Sequence, residues 1–127
     1  MKYIESIEEF NDFIKQEMVL IDFYADWCGP CKMFHKVLEE LDNENKYLIG
    51  LINTDNFLDL CKKYKVFSIP NIKVFSNGEL IKEKKGFMSL DELKEFLDNW
   101  NSFFLIFIVW NCMFCYNKYC NICKEES

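Results

Sequence analysis

From Met18 to Ala25 the chain reads MVLIDFYA, eight residues broken by one charge, and after a single aspartate it continues as Trp-Cys-Gly-Pro-Cys-Lys. A near-continuous apolar run of this length is what a central strand covered on both faces requires. Pro30 has the fixed φ suited to a first helical position, and Met33, Phe34, Val37, Leu38 and Leu41 then form an apolar stripe on a helix running to about Glu44. A buried strand that passes straight into a helix restricts the chain to a layered α/β fold.

The flanking segments extend this pattern. "SIEE" at Ser6 to Glu9 is a capping box, and Ile7, Phe10 and Ile14 follow at helical spacing, which predicts a helix from about Ile7 to Gln16 after a short leading strand. "YLIGLIN" is a further strand, followed by a helix that Thr54 or Asp55 can cap and that buries Phe57, Leu60, Cys61 and Tyr64. "NIKVF" and "LIKEKKG" flank Asn77-Gly78, a strong hairpin signal. A second capping box, "SLDE", opens a last helix with Leu90, Leu93, Phe96, Leu97 and Trp100 on one face. The order is βαβαβαββα, a mixed central sheet flanked by helices.

The 127 residues, half of them hydrophobic, suit one domain at 1–101, with an apolar, cysteine-rich extension at 102–127. The net charge is -6 and every cationic side chain is Lys, so neither a basic field nor the guanidinium forks that hold phosphates are available. Nucleic acid is excluded as a partner on this ground. No apolar run ending in small residues follows Met1, so a cytoplasmic location is expected. An odd number of cysteines, seven, argues against a secreted disulfide framework.

A C-x-x-C pair beside a βα unit is either a redox pair or half of a metal site. Within the domain only the lone Cys61 and the sole histidine, His35, could add soft ligands, too few for a tetrahedral zinc site, so no metal is expected there. The redox reading explains the placement. Unpaired N–H groups and the dipole at a helix start stabilise a thiolate at Cys28, and Cys31, one turn away, can attack a mixed disulfide as an intramolecular group. Cys31 needs a proton acceptor. Asp22, inside the apolar strand, is the candidate, because burial raises a carboxyl toward the range of a general base. His35, one turn beyond Cys31, is expected on a solvated face.

These residues resemble the thioredoxin family. "DFYADWCGPCK" is similar to its active-site signature, "SIPN" at Ser68 to Asn71 to its cis-proline loop, and "SNGE" and "KKG" to its hairpin and groove glycine, over about residues 1–100. The resemblance implies a thioredoxin fold and a protein-disulfide reductase with Cys28 as nucleophile, Cys31 as resolving thiol and Asp22 as buried acid/base. Trp27 would shield the pair, Gly29 and Pro30 would shape the turn, and Ile69, cis-Pro70 and Gly86 would form the substrate groove. It further implies a monomer needing no cofactor beyond a redox-active Cys28–Cys31 disulfide, with thioredoxin reductase, a flavoenzyme, as donor and protein disulfides as acceptors.

Thioredoxin's own attacking thiol has a pKa of about 7 against about 8.5 for free cysteine. The roughly fifteenfold gain in thiolate is offset about fivefold by lower nucleophilicity, so the intramolecular placement of Cys31 matters more than acidity. The sequence also departs from the family. Leu51 stands where many members carry a buried Lys beside the buried Asp, so Asp22 is expected to be harder to ionise. Lys36 replaces a helix-kinking proline, and Lys85 replaces an apolar groove residue.

The extension "NSFFLIFIVWNCMFCYNKYCNICKEES" lies outside the resemblance. Its apolar run of about fourteen residues falls short of the roughly twenty of a membrane span, so membrane association is not favoured. Cys112, Cys115, Cys120 and Cys123 form two C-x-x-C pairs only four residues apart, a weak zinc signature, and on a helix they would share about 140° of one face. This leaves a rival reading in which the fold is a binding or tethering scaffold acting through its tail. A second rival is a disulfide isomerase or oxidase.

Overall fold

The computed structural model describes residues 1–98. By internal contacts the chain divides into Met1–Asp91 and Glu92–Ser127. In the first unit β1 (Lys2–Tyr3), α1 (Ile7–Ile14), β2 (Val19–Tyr24), α2 (Gly29–Asp42) and β3 (Leu48–Asn53) follow one another. A 3-10 turn (Thr54–Asn56), α3 (Leu58–Lys63), β4 (Asn71–Ser76) and β5 (Glu79–Lys85) complete it. A last helix, α4, covers 90–98 of the described residues. Trp100, the expected boundary after residue 101, the apolar run and the four tail cysteines lie outside the described residues.

The sheet has the order β1-β3-β2-β4-β5. β2 runs parallel to β3 and antiparallel to β4, so it is central, and five of its six residues are buried, as its unbroken apolar run demands. Val19, Ile21 and Phe23 share one face with Phe10, Phe13 and Ile14 of α1 and Leu60 and Cys61 of α3 in a single core cluster. Asp22 faces the other way, toward α2, which buries Cys31, Phe34, Leu38 and Leu41. Met33 and Ile7, expected on buried stripes, are exposed instead. Phe13 takes the inward place on α1, and α2 turns Phe34 inward rather than its neighbour.

Ser6 caps α1 by accepting from the Glu9 N–H, 3.1 Å. The helix end is tied to the hairpin: Gly78 N–H donates to the Ile14 carbonyl and Asn77 N–H to that of Gln16. Asn77 (φ 52°) and Gly78 (φ 87°) both lie in the left-handed region, as a two-residue hairpin turn demands. The third helix departs from expectation. Asn53, not Thr54 or Asp55, provides the cap, its Oδ1 accepting from the Asp55 N–H, so a 3-10 turn comes first and α3 starts at Leu58 without a side-chain cap.

Gly50 sits in β3 where Ile4, Ile21 and Phe13 close over the strand. A Cβ added there would lie 2.8 Å from Ile4 Cδ1 and 2.9 Å from Ile21 Cδ1 and Phe13 Cε1. Gly50→Ala is therefore expected to destabilise the fold by about 1–3 kcal/mol, read as a lower urea midpoint.

Candidate active site

The turn between β2 and α2 carries the cysteines. Cys28 is the N-cap of α2 in extended conformation, and Gly29 and Pro30 are the first two helical residues. Pro30 thus stands second in the helix rather than first, where its missing N–H still leaves nothing unpaired. Cys28 and Cys31 are joined by a disulfide with Cα atoms 5.2 Å apart. The Cys31 N–H donates to Cys28 Sγ at 3.2 Å, so the sulfur at the helix tip meets one of the orphan amides that would stabilise it as an anion on reduction. Both residues are buried, Cys28 keeping 5% of its surface and Cys31 2%.

The peptide Ile69–Pro70 is cis, and the Ile69 carbonyl oxygen lies 3.9 Å from Cys28 Sγ. Ile69, Tyr24 and Ala25 pack on the two cysteines. Gly86 has φ +88° and donates its N–H to the Pro70 carbonyl at 2.8 Å, joining the end of β5 to the proline loop. Trp27 is 72% exposed, its Nε1 donating to Asp55 Oδ2 at 3.1 Å. Asp55 is in turn oriented by Asn53, whose amide also donates to Asp26. This Asn53–Asp55–Trp27 chain escaped the sequence reading, in which Asp55 served only as a helix cap.

Asp22 is 1% exposed, and its Oδ1 has no hydrogen-bond partner among the described residues. Its cross-strand neighbours are Leu51 on β3 and Ile72 on β4, so neither strand offers it a cation. Burial pushes its carboxyl up to about 7. Asp22 and Cys31 line one cleft together with His35. His35 is not freely solvated: its side chain is 31% exposed and Nε2 lies 3.1 Å from Glu39 Oε1.

A family model described as Thioredoxin matches residues 2–99. The chain belongs to the thioredoxin family. It is 43% identical over 94 residues to the thioredoxin of Chlamydia caviae, covering 73% of this chain and 92% of that one. With the thioredoxin of Bacillus subtilis it shares 40% over 93 residues, 72% of this chain and 89% of the relative. Among solved structures, a mutant thioredoxin from Halobacterium salinarum superposes with a TM-score of 0.72 at 34% identity, covering 76% of this chain and 87% of that one. Plasmodium falciparum thioredoxin gives 0.73 at 30% identity, covering 78% and 98%.

The fold and the cysteine pair thus make this chain a thioredoxin-type thiol–disulfide oxidoreductase that reduces protein disulfides. The scaffold reading is not favoured. Among the described residues no group of His, Cys, Asp or Glu could hold a metal ion and no helix is long and apolar enough to cross a membrane, while the tail through which that reading would act lies outside them.

A second buried charge was not foreseen. Lys73 of β4 is fully buried, pairs with Glu83 of β5 and lies over the Phe23 ring at 5.9 Å. Its side-chain hydrogen bond, ahead of its charge, holds Glu83 below the usual carboxylate range. Lys73 shares the face of Ile21, opposite Asp22, and so stands apart from the sulfur chemistry.

Proposed function

We propose that the reduced protein works by a two-step exchange. Cys28 Sγ attacks one sulfur of a substrate disulfide, forming a mixed disulfide and releasing the first substrate thiolate, which takes a proton from water. Asp22 as carboxylate takes the proton of Cys31, whose sulfur then attacks Cys28 Sγ. The Cys28–Cys31 bond forms, the second substrate thiolate leaves, and two electrons have passed from dithiol to substrate. Trp27, Ile69, Pro70 and Gly86 form the groove in which an extended substrate segment lies beside Cys28, with the Ile69 backbone as its pairing edge. A flavin-dependent thioredoxin reductase restores the dithiol, and the protein acts as a monomer in the cytoplasm. The observation that carries this reading is the Cys31 N–H aimed at Cys28 Sγ from the first turn of α2, a geometry that activates one sulfur and holds the other within reach.

Cys31→Ser tests the order of the steps. With insulin as substrate the variant is expected to accumulate a one-to-one mixed disulfide through Cys28, visible on non-reducing electrophoresis and by mass. Turnover of Cys31→Ser at the wild-type rate would sink the assignment.

A further inference from the structure

Phe67 is 82% exposed, the most exposed large apolar side chain among the described residues. A single exposed apolar residue is ordinary on a protein surface, but the backbone on either side of this one is held. The Val66 N–H donates to the Cys61 carbonyl at 2.8 Å, and the Val66 side chain packs on the core cluster that α1, α3 and the sheet share. Ile69 packs on that cluster and on the two cysteines, and after its cis bond the Pro70 carbonyl accepts from the Gly86 N–H. Phe67 is thus carried on a short span pinned at both ends. That span also limits its distance from the sulfur chemistry. Two residues of chain reach at most about 7 Å, so the Phe67 Cα lies within that distance of the Ile69 Cα. The Ile69 carbonyl oxygen is in turn 3.9 Å from Cys28 Sγ. Trp27, next to Cys28 in the chain and exposed as well, is held by Asp55. Aromatic side chains fixed in this way lose little freedom on contact, and such residues dominate the energy of protein interfaces.

We propose that Phe67 is a specificity-determining residue of this reductase: it docks an extended segment of the substrate protein that carries a large apolar side chain about two residues from its reacting cysteine. A segment paired on the Ile69 backbone advances about 3.4 Å per residue, so a side chain two positions from the cysteine reaches the level of Phe67. The occupant is a substrate chain because the Phe67 span runs without a break into the groove of Ile69 and Pro70. A second copy of this protein fits the face poorly. Lys62, Lys63 and Lys65 are exposed in the same segment, and two copies meeting there about a twofold axis would set lysines against lysines. The ring is covered while the substrate is captured on Cys28 and uncovered when Cys31 releases it, so the preference acts on capture. The inference rests on the exchange proposed above and adds the class of segment that the groove selects.

The test uses the full chain with Phe67→Ser, which removes the ring, and Phe67→Leu, which keeps an apolar surface. The substrates are two symmetric disulfides of one short peptide, with Phe or with Ser placed two residues to each side of the cysteine. Dithiothreitol-driven reduction gives kcat/KM for each peptide above the background of dithiothreitol alone. The wild type is expected to favour the Phe peptide by about tenfold, expressed in KM. In Phe67→Ser the preference falls to about twofold, the share left to Trp27, while Phe67→Leu keeps at least about fivefold. An equal preference in wild type and Phe67→Ser would overturn the proposal. So would a loss in Phe67→Ser that is the same for both peptides, or a full loss of the preference in Phe67→Leu. Gel filtration in which the wild type elutes as a dimer and Phe67→Ser as a monomer would overturn it too, making this face a contact between copies. Cys28→Ser separates the two ideas: continued reduction of both peptides by that variant would overturn the exchange mechanism, while their ratio still decides what Phe67 selects.

Discussion

Cys28→Ser is expected to reduce dithiothreitol-driven insulin reduction to the rate of dithiothreitol alone, a loss of at least about a thousandfold in the protein's own contribution. A serine hydroxyl at this helix tip stays protonated near neutrality, and no sulfur remains at the N-cap to capture the substrate. Cys31 cannot substitute, since it lies inside the helix beside Asp22. The variant keeps Cys61 and the four tail cysteines. Cys61 is buried, and burial first, then the charge of Asp55, raises its pKa, so it adds no nucleophile. Cys61→Ser is accordingly expected to leave the rate unchanged. A rate in Cys28→Ser within tenfold of wild type would transfer the activity to Cys112, Cys115, Cys120 and Cys123 and revive the scaffold reading of the domain.

The cysteine turn and the acid behind it were legible in the sequence because they are local. The helix-tip cysteine, the proline behind it and the aspartate in the apolar run lie within ten residues, and their relation follows from one strand, one turn and one helix. The hairpin was legible for a similar reason, since Asn77 and Gly78 are residues that tolerate positive φ. What the pattern hid depends on partners remote in the chain. Nothing in the segment NIKVF marks Lys73 as buried, and only the pairing of β4 with β5 brings Glu83 against it. The Asp55–Trp27 bond spans 28 residues and needs the Asn53 turn to orient it. His35 looked solvated because its neighbour Tyr3 belongs to β1, placed beside α2 by the sheet order rather than by sequence.

Asp22→Asn is expected to turn a pH-dependent cost into a constant one. The side chain is neutral in the fold until about pH 7, whereas in the unfolded chain it ionises from its ordinary 3.8 upward. Between those values the unfolded state has released a proton that the folded state still holds, so wild-type stability falls as pH rises and levels off above about 7. At about 1.4 kcal/mol per pH unit, the window is worth about 4 kcal/mol. Urea titrations of the oxidised proteins should therefore show Asp22→Asn gaining about 4 kcal/mol on wild type between pH 4 and pH 8, with other titrating groups cancelling in the difference. A difference independent of pH would mean that the carboxyl is ionised in the fold at pH 5 and is no candidate base for Cys31. The same variant should resolve mixed disulfides slowly, so one side chain would weaken the fold at neutral pH and speed the second exchange. That combination is expected of a buried acid kept in a central strand for its chemistry, since Leu51 and Ile72 beside it give it nothing that stability alone could use.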